Sequence, residues 1–268
     1  MCATCGCGTD EIRVTPAHGA EQHRHEHGHD HGHDHGHEPD GLRTHTLELE
    51  QKVLAKNDRL AAENRARMAA RSITAINLMS SPGSGKTTLL ERTITDLSVP
   101  IFVVEGDQET LFDAERIRAA GARAVQVNTG AGCHLDSSMV GRALDELDPA
   151  DGSLVVIENV GNLVCPAMFD LGEDRKVVVI SVTEGDDKPL KYPHMFAAAN
   201  LIVVNKLDLL PHVDFDPGRF AADARRLNPD VEIMIVSART GENLAAWFAW
   251  LGDLVGPVPA TPPHLRVD

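Results

Sequence analysis

Between an apolar run at 73–79 and an amphipathic segment, the chain carries Ser81-Pro82-Gly83-Ser84-Gly85-Lys86-Thr87-Thr88. A glycine-rich turn in that setting commits the chain to strand, loop and helix in immediate succession. Gly83 and Gly85, with Ser84 between them and Thr88 beyond, let backbone N–H groups approach phosphate oxygens. Lys86 reaches the β- and γ-phosphates, and the Thr87 hydroxyl can ligate Mg²⁺. The strict pattern has glycine where this chain has Ser80, but the tight turn before Lys86 is retained. Alone, the loop specifies only a nucleoside triphosphate.

The base is specified further along. Asn205-Lys206-Leu207-Asp208 follows the apolar run Leu201–Val204. The Asp208 carboxylate can accept from the N1–H and 2-amino group of guanine, a donor pair that adenine lacks. Ser237-Ala238, after another apolar run at 231–236, places a backbone N–H near the guanine O6. The substrate reading is therefore GTP. A P-loop small-molecule kinase has no need of such a motif.

Two acids lie between these ends. Asp107 closes the run Ile101–Val104 and can join the magnesium shell or position water. Glu158-Asn159-Val160-Gly161 follows Leu154–Ile157; an acid, two residues and a glycine at a strand end resemble a γ-phosphate sensor with the Gly161 N–H as donor. Lys86, Asp107 and Glu158 are the candidate catalytic residues.

The formal net charge of −15 argues against nucleic acid, whose phosphates would be repelled. No apolar run is long enough to span a bilayer, and the N-terminus lacks the pattern of a signal peptide. Five cysteines, an odd number, in a nucleotide-dependent chain point to thiolates in a reducing cytoplasm.

Residues 1–45 hold ten of the fourteen histidines and almost no large apolar residue, and are expected to be a disordered metal-binding tail. Over 46–71 an amphipathic helix is expected: Leu47, Leu54, Ala61 and Met68 recur every seven positions, a thin stripe leaning on the main domain or a partner. Glu50, Asn57 and Asn64 in the second heptad position disfavour a free-standing coiled coil. From 72 to 256, apolar runs at 73–79, 101–104, 124–127, 154–157, 177–182, 201–204 and 231–236 alternate with helical segments. Their near-continuous Val/Ile/Leu content predicts an α/β fold, a mostly parallel doubly wound sheet with helices on both faces. The proline-rich end, 257–268, is expected to be irregular.

Three sets of metal-binding side chains stand out. Cys2, Cys5 and Cys7 crowd three thiols into the chain end, and removal of Met1 would add the α-amino group of Cys2. Three sulfurs and a nitrogen suit square-planar Ni²⁺, with tetrahedral Zn²⁺ as the competitor. The alternating histidines from His23 to His37 offer weak, exchangeable sites suited to buffering. Cys133-His134 follows one strand, and Cys165 lies just past Glu158–Gly161. An ion held by these three would be wired to the nucleotide state, with an open position typical of transfer.

Taken together, Cys-x-x-Cys-Gly-Cys, the histidine tract, Asn77–Thr87, Cys133-His134, Ile157–Pro166 and Asn-Lys-x-Asp resemble the HypB family, GTPases that assist nickel insertion into [NiFe] hydrogenase. The resemblance covers essentially the whole chain, and Ser80 is the form that family uses. It implies a SIMIBI-class P-loop GTPase that forms a homodimer on binding GTP. It further implies a tight nickel site at Cys2, Cys5 and Cys7, and a weaker nickel or zinc site at Cys133, His134 and Cys165 on the dimer interface. A HypA-like nickel chaperone and the hydrogenase large-subunit precursor are the implied partners. The urease accessory GTPase is the near alternative, but its Cys-Pro-His triplet is absent. A nickel store with a vestigial nucleotide site is the other, opposed by the intact Lys86-Thr87 and Asn205–Asp208.

Overall fold

The computed structural model describes residues 40–107, 112–129 and 132–256, with side chains from Gln51 onward except those of Asp107 and Phe112. The expected sites at Cys2, Cys5, Cys7 and the histidine tract lie outside the described residues, as does the 257–268 segment. Two compact units divide the chain, 1–52 and 53–268. The described part of the first is helical backbone from Asp40 to Lys52; the sheet and the helices that cover it belong to the second.

Seven strands form one parallel sheet: β1 (Thr74–Ser80), β2 (Ile101–Asp107), β3 (Arg123–Asn128), β4 (Leu154–Gly161), β5 (Arg175–Ser181), β6 (Leu201–Asn205) and β7 (Glu232–Ile235). Their order is β3-β2-β4-β1-β5-β6-β7. The helices are α1 (Asp40–Ala70), α2 (Lys86–Asp96), α3 (Phe112–Ala119), α4 (Ser137–Leu147), α5 (Lys188–Lys191), α6 (Pro193–Ala198), α7 (Pro217–Leu227) and α8 (Leu244–Val255). Each expected apolar run became a strand because both sheet faces are covered. Val177 and Val179 of β5 pack with Leu89, Leu90, Trp247 and Leu251 of α2 and α8, while Val178 and Ile180 pack with Phe196 and Phe220 of α6 and α7. A strand buried on both sides cannot alternate with polar residues, which is why these runs read as continuous.

The C-terminal half of α1 lies in the second unit, with Ala61 and Met68 at 0% and 3% exposure. Asn57 and Asn64 are buried with them. The stripe is therefore half amide, and the asparagines that disfavour a coiled coil are docking groups: Asn57 donates to Asp170 O at 2.7 Å and Asn64 to Ser137 O at 2.9 Å. On the same face of the sheet, Val140, Ala143, Leu144 and Leu147 of α4 cover Val155 and Ile157. Asp136 caps α4 by accepting from Met139 N at 2.8 Å, a contact worth about 1 kcal/mol. Among the described residues no helix is long and apolar enough to cross a membrane.

Candidate functional site

β1 sits at the centre of the sheet, flanked by β4 and β5, and every strand points its C-terminal end the same way. Ligands of open parallel sheets bind beyond those ends. The loop from Ser81 to Gly85 leaves β1 there and runs directly into α2, whose first residue is Lys86. Gly85 caps that helix at φ +91°, and a Cβ on it would meet Asn205 Nδ2 at 2.5 Å. Only glycine serves both the left-handed turn and the close approach. The loop faces a cleft of ≈ 470 Å³ lined by Ser81–Thr88, Glu105, Arg116, Glu158 and Lys206 among others.

Parallel pairing sets the acid opposite the loop. Leu78 of β1 is in register with Glu158 of β4, and Ser80 with Gly161. Glu158 is 1% exposed, and its Oε1 accepts from Lys86 Nζ at 2.5 Å and from Thr87 Oγ1 at 2.8 Å. Its other oxygen, Oε2, is buried without a hydrogen-bond partner, as is the Ser84 hydroxyl on the loop. Orphaned acceptors and donors are costly when buried, and both of these residues line the cleft. Gly161 lies against Pro82 of the loop, which a Cβ would meet at 3.4 Å. Asp107 ends β2 in register with Asn128; its side chain is outside the described residues.

The base end is built on β6. Asn205 donates from Nδ2 to Ser84 O at 2.9 Å, and its Oδ1 accepts from Ala238 N at 2.9 Å. It thus fastens the phosphate loop to the Ser237-Ala238 turn, and both ends of its amide are used in doing so. Lys206, in the left-handed conformation at φ 63°, donates from Nζ to Gly83 O at 2.7 Å. Asp208 accepts from the Ser237 hydroxyl at 2.6 Å, which holds its carboxylate in one orientation. Thr88 lies at the rim, 3.4 Å from Arg116 Nη2.

One group lining the cleft, Arg116, and one beside it, Glu184, carry no signal in the sequence. Arg116 of α3 is held by Glu91, at 2.9 and 2.7 Å, and by Asp113 at 3.3 Å. Its pKa is raised chiefly by the hydrogen bonds to Glu91. Ser81 hydrogen-bonds the Glu184 carboxylate, which also pairs with Lys188 at 3.4 Å. A short loop and a one-turn helix meet there only because β5 neighbours β1.

A second cluster lies on the far side of Gly161. Cys133 Sγ and Cys165 Sγ are 2.8 Å apart, both as reduced thiols, and His134 Nδ1 is 3.7 Å from Cys133 Sγ. Among the described residues these three form the group of side chains able to hold a metal ion, their ligand atoms all within 4.8 Å of one another. The imidazole stacks on Phe169 at 4.0 Å between ring centroids. Burial pushes its pKa below the ordinary value, against a smaller opposing effect of Asp136. A neutral imidazole beside two thiols is a donor set for a borderline or soft divalent ion.

Backbone links connect this cluster with the cleft. Asn159, the residue after Glu158, accepts at Oδ1 from Leu135 N at 3.2 Å, directly after His134. Asn162 Nδ2 lies 3.5 Å from Cys133 O as its acceptor. Behind them, Asn159 donates to Asn77 Oδ1 at 3.2 Å, and Asn77 to Glu173 Oε1 at 3.1 Å. Asn159 and Asn162 stand inside the 157–166 motif, but their partners are set by strand order.

The model of the CobW/HypB/UreG nucleotide-binding domain matches residues 74–235. The hydrogenase maturation factor HypB of Azotobacter chroococcum mcd 1 is 62% identical over 207 residues, 76% of this chain and 68% of that protein. HypB of Escherichia coli strain K12 is 48% identical over 287 residues, 94% of this chain and 98% of its own length. The crystal structure of HypB from Helicobacter pylori in complex with nickel aligns with a TM-score of 0.71 at 39% identity, covering 75% of this chain and 95% of that one. With the phosphate loop, the guanine motif and the Cys-His-Cys cluster on one parallel sheet, the chain belongs to the HypB family of hydrogenase maturation factors, P-loop GTPases of the CobW/HypB/UreG group.

Proposed function

We propose that this chain is a GTP-hydrolysing nickel metallochaperone for assembly of the [NiFe] hydrogenase active site, in which nucleotide state controls the grip on the ion. One observation carries the reading: Glu158, which touches Lys86 and Thr87, is followed by Asn159, which holds the backbone of the Cys133-His134 loop. When a triphosphate occupies the cleft, Lys86 exchanges Glu158 for the β- and γ-phosphates. The freed Glu158 can then orient the attacking water, and the Gly161 N–H meets the γ-phosphate.

Thr87 Oγ1 and Glu158 Oε1 are hard oxygens 2.8 Å apart beside the orphaned Oε2, a donor set that fits Mg²⁺. Thr87, with Asp107, would hold that ion, which would neutralise charge on the β- and γ-oxygens. Any movement of β4's end on hydrolysis is passed by Asn159, Asn162 and Cys165 to the ligands, loosening the cargo. Nickel is that cargo, and zinc competes for the same donors. Cys2, Cys5 and Cys7 supply the tighter nickel site. GTP-dependent homodimerisation, a HypA-like nickel chaperone, the hydrogenase large-subunit precursor and a cytoplasmic setting complete the reading.

The test is nickel stoichiometry and oligomeric state of the full chain in GDP and in a non-hydrolysable GTP analogue. Dimer with retained metal in the analogue, and weaker retention in GDP, is the expected result. Identical metal content and size in both states would separate the two sites and end the switch reading.

A further inference from the structure

α1 makes an unusual choice for a docking helix. Asn57, Ala61, Asn64 and Met68 form its buried face, and the two asparagines are only 6% and 7% exposed. A buried amide costs stability unless its hydrogen bonds are made, and apolar side chains would dock a helix at less risk. The bonds these amides make are confined to two segments. Asn57 Oδ1 accepts from Ser137 N at 2.9 Å, and its Nδ2 donates to Asp170 O at 2.7 Å. Asn64 Nδ2 lies between Ser137 O at 2.9 Å and Leu171 O at 3.2 Å.

Ser137 is three residues past His134, and Asp170 and Leu171 lie just past the short helical turn that begins at Cys165. Each asparagine therefore bridges the chain segment carrying Cys133 and His134 to the segment carrying Cys165. Further contacts hold the same junction. Gly172, at φ +94°, passes so close that a Cβ would meet Ala61 O at 2.7 Å and Asn64 Cβ at 2.8 Å. Arg65 pairs with Asp170 at 2.6 Å.

The two sulfurs stand 2.8 Å apart, and the hydrogen bonds of Asn57 and Asn64 tie together the two segments that carry them. We propose that Asn57 and Asn64 are positioning residues of the metal cluster: as a two-amide clamp on α1, they pin the Cys133-His134 arm to the Cys165 arm and thereby set the affinity for the ion. This deepens the metal-delivery reading and rests on it. Groups that orient ligands without touching the ion typically change affinity by about 10–100-fold when removed.

The experiment uses the full chain with Cys2, Cys5 and Cys7 changed to Ser, so that thiolate-to-nickel charge-transfer absorption reports Cys133 and Cys165. Ni²⁺ is titrated, and GDP affinity is measured alongside as a check that the fold is intact. Asn57→Ala and Asn64→Ala are expected to weaken the charge-transfer-detected site about 10–100-fold and to shift the band, with GDP affinity unchanged. Asn57→Asp keeps the acceptor for Ser137 N but sets a carboxylate oxygen against Asp170 O, so it should weaken the site at least as much as alanine. It also decides the question if an alanine variant fails to bind GDP. Nickel affinity and band like those of the parent in folded variants would overturn the clamp alone. A parent with no thiolate band would overturn the metal reading itself, and the clamp with it.

Discussion

A single carboxylate oxygen, Oε1 of Glu158, accepts both the Lys86 ammonium at 2.5 Å and the Thr87 hydroxyl at 2.8 Å, with the acid 1% exposed. The acid thus ties together the lysine of the glycine-rich loop and the hydroxyl that follows it. Under the proposed function, substrate binding would be an exchange of partners within this charge cluster.

That exchange makes Lys86→Ala costly twice. Nucleotide affinity should fall by about 10–100-fold, from a lost charged hydrogen bond of about 1.5–3 kcal/mol. The protein without nucleotide should also lose about 3 kcal/mol, because Glu158 is left as a buried charge without its partner. Adding Glu158→Gln should restore thermal stability but not GTP binding. A single mutant as stable as the parent in a denaturant series would contradict the pairing.

Asp208→Asn replaces an acceptor by an amide at the guanine edge. GTP affinity should drop at least about tenfold, the scale of one lost charged hydrogen bond. Xanthosine triphosphate, with an oxygen in place of the 2-amino group, should gain. Retained guanine selectivity in competition binding would remove the base-reading role.

Gly85→Ala tests the brace between loop and base site. The new methyl would lie 2.5 Å from Asn205 Nδ2 in a left-handed backbone, a strain of roughly 1–3 kcal/mol. Phosphate and base recognition should fail together, since Asn205 ties Ser84 O to Ala238 N. Calorimetry with GDP and with guanosine alone separates the two losses; intact guanosine binding would count against the brace.

Asn159→Ala should leave GDP binding and nickel binding each in place while reducing their mutual influence. Its side chain bonds Leu135 N and Asn77 and does not line the cleft. Nickel titrations at saturating GDP and at saturating GTP analogue give the comparison. An undiminished nucleotide effect would move the coupling elsewhere.

Glu173 supplies a pH test. Burial raises its pKa above the ordinary 4.5 despite Lys176 and the hydrogen bond from Asn77. The folded state therefore prefers the protonated acid. Its contribution is present below the ordinary glutamate value and is lost as pH rises through the raised one. The stability difference between Glu173→Gln and the parent should drift in favour of glutamine across that window. A drift in the opposite direction in urea unfolding would reverse the assignment.

Local chemistry carried much of this protein. Both ends of the nucleotide site are contiguous motifs, because a phosphate loop needs its glycines, lysine and hydroxyl within one turn. Seven strands were legible because burial on both faces forces continuous aliphatic runs. The asparagines of α1 were legible only as a break in a stripe, since an amide in a sequence does not announce its acceptor.

Residue order by itself pointed to the nucleotide motifs, the strands of the sheet and the trio Cys133, His134 and Cys165. The three-dimensional arrangement decided what faces what. Inserting β4 between β1 and β2 put Glu158 against Lys86, brought Cys165 to Cys133, and gave Asn57 and Asn64 two segments to bridge. Those pairings join residues far apart along the chain, and their register comes from which strands share hydrogen bonds, a property no local stretch of sequence contains.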